Sequence, residues 1–291
     1  MKIKKNSSYI NKFLLVLIVF SMMGVQGLQE REIVTLAGTS EIIHYDYIDE
    51  GRSENFYYLK TIDGTKYKLN FASGVEPDII SGENIRITRT LSNVAIEGRE
   101  INVENLEIIQ NVVAGAEQNS NLGEQRTAVI LVNSVDNPIE PMTKGEVWDR
   151  FFNESYDEDR DGINESINSW IKEVSYERAW LRGEVYGWYS LSNETELCSV
   201  FGGETLQEIM TIADSDINFL NYKRLIFIIP YSDLCSYFGI GYVGMIDLET
   251  PDGIASLSIN ELNGISQINN GYGVHELGHN FGAWHSNSWD C

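Results

Sequence analysis

His275-Glu276-Leu277-Gly278-His279-Asn280-Phe281-Gly282-Ala283-Trp284-His285 is the stretch that decides how this chain is read. On an α-helix, residues four apart share a face with Cβ atoms about 5–6 Å apart, so His275 and His279 present two imidazole nitrogens to one ion. Glu276 is turned by about 100° from His275 and reaches a water on that ion more readily than the ion itself, which makes it the candidate general base. Catalytic zinc takes three protein ligands and keeps one position open. Gly282 opens the route to the third. Free of a Cβ, it adopts a positive φ, ends the helix and turns His285 back towards the ion. The expected metal is therefore Zn2+, held by His275, His279 and His285, with Glu276 as catalytic residue. A closed structural zinc site would want a fourth protein ligand and would leave Glu276 without a task.

Outward from the motif, residues 127–133 (Thr-Ala-Val-Ile-Leu-Val-Asn) and 224–231 read as buried strands, and 180–191 as a strand or strand pair. Residues 163–175 and 204–220 carry apolar side chains at helical spacing. Residues 254–259, alternating Ile-Ala-Ser-Leu-Ser-Ile, are the candidate edge along which an extended peptide would add itself beside the metal, with an ordinary internal strand as the alternative.

Residues 28–115 show short β-rich runs at 41–47, 55–60, 66–70, 84–89, 93–97 and 106–109, and Asp63-Gly64 is a hairpin signal between two of them. The pattern predicts a small all-β barrel or sandwich; Ser81-Gly82-Glu83-Asn84-Ile85-Arg86-Ile87 and the strand pair after it look like an OB-type barrel. The one histidine of this region, His44, reads as an ordinary strand residue rather than a ligand. A polar, small-residue stretch then separates this region from the motif-bearing half. The expected organisation is a signal peptide at 1–27, a β-rich unit at 28–115, a linker at 116–125 and a metal-bearing unit at 126–291, with an α+β fold class overall.

The leader expectation rests on Lys2, Lys4, Lys5 and Lys12, the apolar run 13–25 and the small Gly27 behind it. That run is short of the roughly 20 residues that cross a bilayer, so export with cleavage is favoured over an uncleaved anchor. Removing the leader takes four lysines and no acid, and net charge moves from −22 to −26. So acidic a surface repels phosphate backbones and anionic head groups, which argues against nucleic acid and stable membrane association as partners. A hydrophobic content of 43% nevertheless belongs to a globular chain. In an exported protein Cys198 and Cys235 are candidates for a bridge, and Cys291 is left over.

On these residues, the chain resembles the metzincin clan of zinc peptidases. The motif continued by Ser286 and Asn287-Ser288-Trp289-Asp290-Cys291 looks most like the gametolysin family, and the likeness extends upstream through Glu173-Val174-Ser175-Tyr176 and 180–188 to cover roughly 126–291. The resemblance implies a twisted mixed sheet over an active-site helix, the ligand and base assignments above, and a protein or peptide substrate. It also implies a methionine-containing turn after the third histidine, which this sequence does not include, so the expectation is an incomplete catalytic unit. By analogy the β-rich unit would be a propeptide or inhibitory domain. The matrixin-like device, a prodomain cysteine on the zinc, is excluded, because residues 28–197 contain no cysteine.

Asp157, Asp159 and Asp161 precede Gly162 at EF-hand-like spacing and form a minor candidate Ca2+ site, but Asn168 stands where the twelfth-position Glu would be; a solvated acidic turn is the plain alternative. The functional expectation is a secreted zinc-dependent endopeptidase. The alternative, from another class, is an inert secreted binding protein or fragment that retains a zinc site.

Overall fold

The computed structural model describes residues 32–47, 50–91, 99–109, 121–198, 201, 203–269 and 271–285. The expected leader, the run at 93–97 and Cys291 lie outside the described residues. The fold of the described residues is α+β, built on one mixed sheet of twelve strands.

Three parallel pairings make the centre: β7 (Gly123–Ser134) lies between β8 (Ala179–Leu191) and β9 (Arg224–Ile229), and β9 continues into β12 (Gly253–Asn263). Side chains alternate across β7, so Ala128, Ile130 and Val132 enter one core and Val129 and Leu131 another. Both faces are therefore covered, which is why 127–133 is a nearly continuous apolar run. Helix α4 (Glu204–Ala213) closes the first face with Leu206, Ile209 and Met210. Helices α1 (Lys144–Phe152) and α2 (Ile167–Val174), the short α5 (Ser266–Asn269) and α6 (Tyr272–Asn280) close the second with Phe151, Ile171, Ile268 and Leu277. Each such fully buried side chain contributes about 1.5–3 kcal/mol relative to exposure. A bridge between Cys198, after the short α3 (Glu194–Leu197), and Cys235 ties the α4 side of the sheet together.

The β-rich segment forms β1 (Glu32–Tyr47), β2 (Arg52–Thr61), β3 (Lys66–Asn70), β4 (Asn84–Leu91), β5 (Glu100–Asn102) and β6 (Asn105–Ile108). β1 carries β2 along one edge from Gly38 to Tyr47 and β4 along the opposite edge from Glu32 to Thr39, so that Gly38 and Thr39 pair with both. β3 pairs parallel with β5, and β6, just beyond β5, pairs with β4, so the pairings run round a circuit. Ile42, Leu59, Leu69, Ile85 and Ile101 fill it.

The two halves are joined edge to edge. Ile43–Asp46 of β1 pairs antiparallel with β10 (Gly239–Tyr242), whose other edge pairs with β12. β12 also carries β11 (Ile246–Thr250) along Gly253–Leu257, whereas β9 pairs with it only from Ser258 on and β10 only from Asn260 on; of the stretch 254–259, expected to be a candidate edge, the first four residues thus pair with β11 alone among the described residues and the last two with β9. β8 ends the sheet on the far side, and β10 would present a further edge of the motif-bearing half if β1 did not lie on it. The expected linker is also shorter than its polar composition suggested, because Gly123, with φ +75°, starts β7 and Gln125 is buried against Arg224.

Candidate metal centre

Helix α6 is placed by polar groups that have no other way to be satisfied in the core. Asn280, fully buried at its last turn, donates to the carbonyls of Tyr242 and Ile259 and accepts from Asn260 Nδ2 at 3.1 Å. Arg224 Nη1 donates to the Asn280 carbonyl at 3.1 Å and to Ser258 Oγ at 3.0 Å, and its guanidinium stacks 3.7 Å from the Phe281 ring centroid. Burial pushes Arg224 down to about 9, and a cation at the helix C-terminus faces the favourable end of the dipole. The helix stops where the sequence demanded: Gly282 has φ +88° and sends the chain back over the helix. Trp284 then packs among the β-rich half, its ring 6.4 Å from that of Tyr57.

These anchors bring His275, His279 and His285 to one point. Their Nε2 atoms lie 3.3 Å (275–279) and 3.0 Å (275–285) apart. Nitrogens about 2.0–2.1 Å from a tetrahedral zinc stand about 3.3 Å from one another, so the spacing fits such an ion. Hydrogen bonds alone do not explain it, because three ring nitrogens converging on one point cannot all be donor and acceptor to each other. The tautomer of His279 is set for ligation: Nδ1–H donates to the Ala283 carbonyl at 2.9 Å and leaves the Nε2 lone pair facing the centre. The two more accessible histidines, with Trp284, line an open cleft of about 420 Å³.

The sequence assigned no role to two residues that complete the cluster. Asp46 places Oδ2 3.0 Å from His275 Nε2 and 3.5 Å from His279 Nε2, and Oδ1 3.2 Å from His285 Nε2. His44, expected to be an ordinary strand residue, puts Nε2 3.2 Å from both Asp46 Oδ1 and His285 Nε2. All four histidines of the protein thus meet. His44, Asp46, His279 and His285 form a group that could hold a metal ion. The signal that could have shown this is His44-Tyr45-Asp46 itself, since alternate residues of a strand share a face. Burial raises the Asp46 carboxyl, but hydrogen bonds from His275, His279, His285 and His44 outweigh it and hold the group well below the usual carboxylate range. In return Asp46 raises His285, whereas burial lowers His279.

Glu276 is fully buried beside this group, and neither carboxylate oxygen has a hydrogen-bond partner among the described residues. Burial first, and then the charge of Asp46, push its carboxyl well above the ordinary value. It lies over Gly239, where a Cβ would fall 1.9 Å from Oε1. A buried carboxyl aimed at a cluster of ligands, with no structural partner of its own, is equipped to take and return a proton.

In the acidic turn, the carboxylates that approach one another are Asp157, Asp159 and Glu165. Asp161 instead accepts from the Ile163 N–H at 2.8 Å, and Asp157 accepts from the N–H groups of Asp161 and Gly162, which is how an acidic turn ahead of a helix satisfies its backbone. Neither a protein-family model nor a curated protein matches this chain.

Proposed function

We propose that the chain is a zinc-dependent endopeptidase of metzincin type, gametolysin-like in its motif, and exported. One observation carries this: three histidine Nε2 atoms converge at zinc-ligand spacing beside a fully buried, unpartnered glutamate on the same helix. When bound there, zinc would lower the pKa of its water towards about 7 and polarise a peptide carbonyl. His275, His279 and His285 hold the ion. Glu276 takes the proton of the attacking water and delivers it to the leaving amine, a task suited to a carboxyl whose surroundings raise its pKa. The substrate is a protein or peptide, and for it to bind extended along β10 by strand addition β1 must leave that edge. The bridged Cys198 and Cys235 favour an oxidising compartment, and no helix among the described residues is long and apolar enough to cross a membrane. An OB-type barrel for the β-rich half belongs to the same proposal, supported by its circuit of pairings.

One observation favours the second reading, a closed and inert zinc site: Asp46 offers a fourth protein group. The test is casein hydrolysis by the zinc-loaded chain, before and after limited trypsin digestion, and by Glu276→Ala treated identically. Chelator-sensitive hydrolysis in the parent and none in Glu276→Ala is the expected result. No chelator-sensitive hydrolysis in either state of the parent contradicts the proposal.

A further inference from the structure

We propose that the cavity at the N-terminal end of α6 is a substrate subsite for a basic side chain, a lysine or arginine about three residues from the bond that is cut. The inference rests on the peptidase reading for the cleavage, while binding of the basic group is tested separately.

The cavity, about 310 Å³, is enclosed by the turn after α1, by α2, by α5 and by the start of α6, and no residue of the β-rich half lines it. That volume suits a small ligand or a long side chain. Its lining has two chemistries. Ile167, Ile268 and Val274 make an apolar wall, to which Tyr156 and Trp170 add two aromatic rings, and the Trp170 side chain is left 50% exposed. Glu158 and Glu165 make the polar end.

The two carboxylates are not equivalent. Arg150 holds Glu158 through both Nη atoms, at 3.1 and 3.2 Å. Glu165 has no basic partner among the described residues; its Oε2 accepts the Glu158 N–H at 2.7 Å, and its carboxylate approaches those of Asp157 and Asp159. Like charges so gathered favour the arrival of a cation. The protein's own Arg150 shows how these surroundings receive a guanidinium, paired bidentate with a carboxylate and lying 5.5 Å from the Tyr156 ring centroid. A basic side chain that enters beside it lays its methylene stem on the apolar wall and carries its head to Glu165. A bare metal ion would leave that wall and both rings without a task.

The place of the cavity along α6 gives the position of the residue it takes. Gly271, Val274 and Gly278 share one stripe of the helix. Gly271 and Val274 line this cavity, and Val274 and Gly278 line the metal cleft with His275 and His279, so the two spaces adjoin across Val274. The track between them is open, since a Cβ at Gly271 or at Gly278 would meet nothing within 4 Å. Seven residues of helix rise about 10 Å, which an extended peptide covers in about three residues.

The experiment uses the zinc-loaded full chain and two probes, acetylarginine methylamide and acetylnorleucine methylamide, with binding read by tryptophan fluorescence. The parent is expected to bind the arginine probe about ten-fold or more tighter, as one charge-assisted hydrogen bond provides. Folded Glu165→Gln should lose that difference, and folded Trp170→Phe should lose the fluorescence change. Equal affinity for the two probes in the parent overturns the proposal, as does a difference untouched by Glu165→Gln or a full fluorescence change in Trp170→Phe. One Ca2+ per chain, lost in Glu165→Gln, with no binding of the arginine probe, also overturns it, because the carboxylates would then serve an ion. For cleavage, the chain is treated with trypsin, freed of it, and given a peptide library with and without chelator. Lysine or arginine should be enriched about three residues from the chelator-sensitive cuts, and the enrichment should vanish in Glu165→Gln; cuts without it overturn the subsite. Glu165-dependent binding of arginine with no chelator-sensitive cut upholds the cation pocket and defeats the peptidase reading instead.

Discussion

Glycine at position 239 is a requirement of Glu276. A Cβ there would fall 1.9 Å from Oε1, 2.4 Å from Cδ and 2.8 Å from Cγ of that side chain, and no histidine of the cluster is among its three nearest atoms. Gly239→Ala must therefore move the carboxyl and leave the ligands where they are. In the zinc-loaded chain after limited trypsin digestion we expect zinc content to be unchanged and casein hydrolysis to fall about 100-fold, the usual effect of displacing a catalytic group by about an ångström. Zinc analysis alongside initial rates checks it; full activity would mean that the place of Glu276 over Gly239 is irrelevant. The place of Glu276 beside the cluster was legible in the sequence because it follows from spacing within one helix, and that of Gly282 because a left-handed turn there returns His285 to His275 and His279. His44 and Asp46 were not legible. They lie more than two hundred residues from the motif, and only the pairing of β1 with β10 reveals what their shared strand face looks at.

Among the elements, those whose signals are local came through best. β3 spans Lys66–Asn70, the stretch its alternation predicts, and α6 carries the motif as expected. The periodicity at 163–175 misplaced the start of α2, because Ser166 caps the helix through Ser169 N–H and Asn164 Oδ1 accepts from Ser166 N–H; side-chain oxygens end the turn before the apolar spacing does. The apolar pattern of 204–220 ran on past α4, which ends at Ala213, into a separate 3-10 turn at Phe219–Asn221. Helix α1 had a readable start, since Thr143 and Glu146 form a capping box, yet its mixed face hid it. The stretch 254–259 divides, with residues 254–257 paired to β11 alone among the described residues and Ser258 and Ile259 paired to β9. Alternation reports that one strand face is buried and says nothing about which neighbours its backbone finds.

For the molecule as a whole, the joint between the two halves also sets a pH dependence. Glu261 on β12 is fully buried; its Oε1 accepts from the Tyr237 hydroxyl at 2.9 Å, and its Oε2 has no partner among the described residues. Burial pushes its carboxyl up to about 8 against the lowering effect of Tyr237. Between its ordinary value of 4.5 and about 8, the unfolded chain releases a proton that the folded chain keeps. Stability from this group is thus complete below the lower value and is lost as pH rises through the upper one, by at most about 1.4 kcal/mol per pH unit. Urea denaturation at several pH values across that window should show a flatter slope for Glu261→Gln than for the parent. Equal slopes would place the protonation elsewhere.

Whether one metal sits where these two halves meet is read most directly by zinc-edge X-ray absorption on the full chain after exhaustive dialysis. We expect one zinc per chain with three imidazole nitrogens and one carboxylate oxygen at about 2.0–2.2 Å, retained in Glu276→Ala and lost in His279→Ala. Zinc absent from the dialysed parent, or held equally well by folded His279→Ala, would contradict a metal centre at this joint.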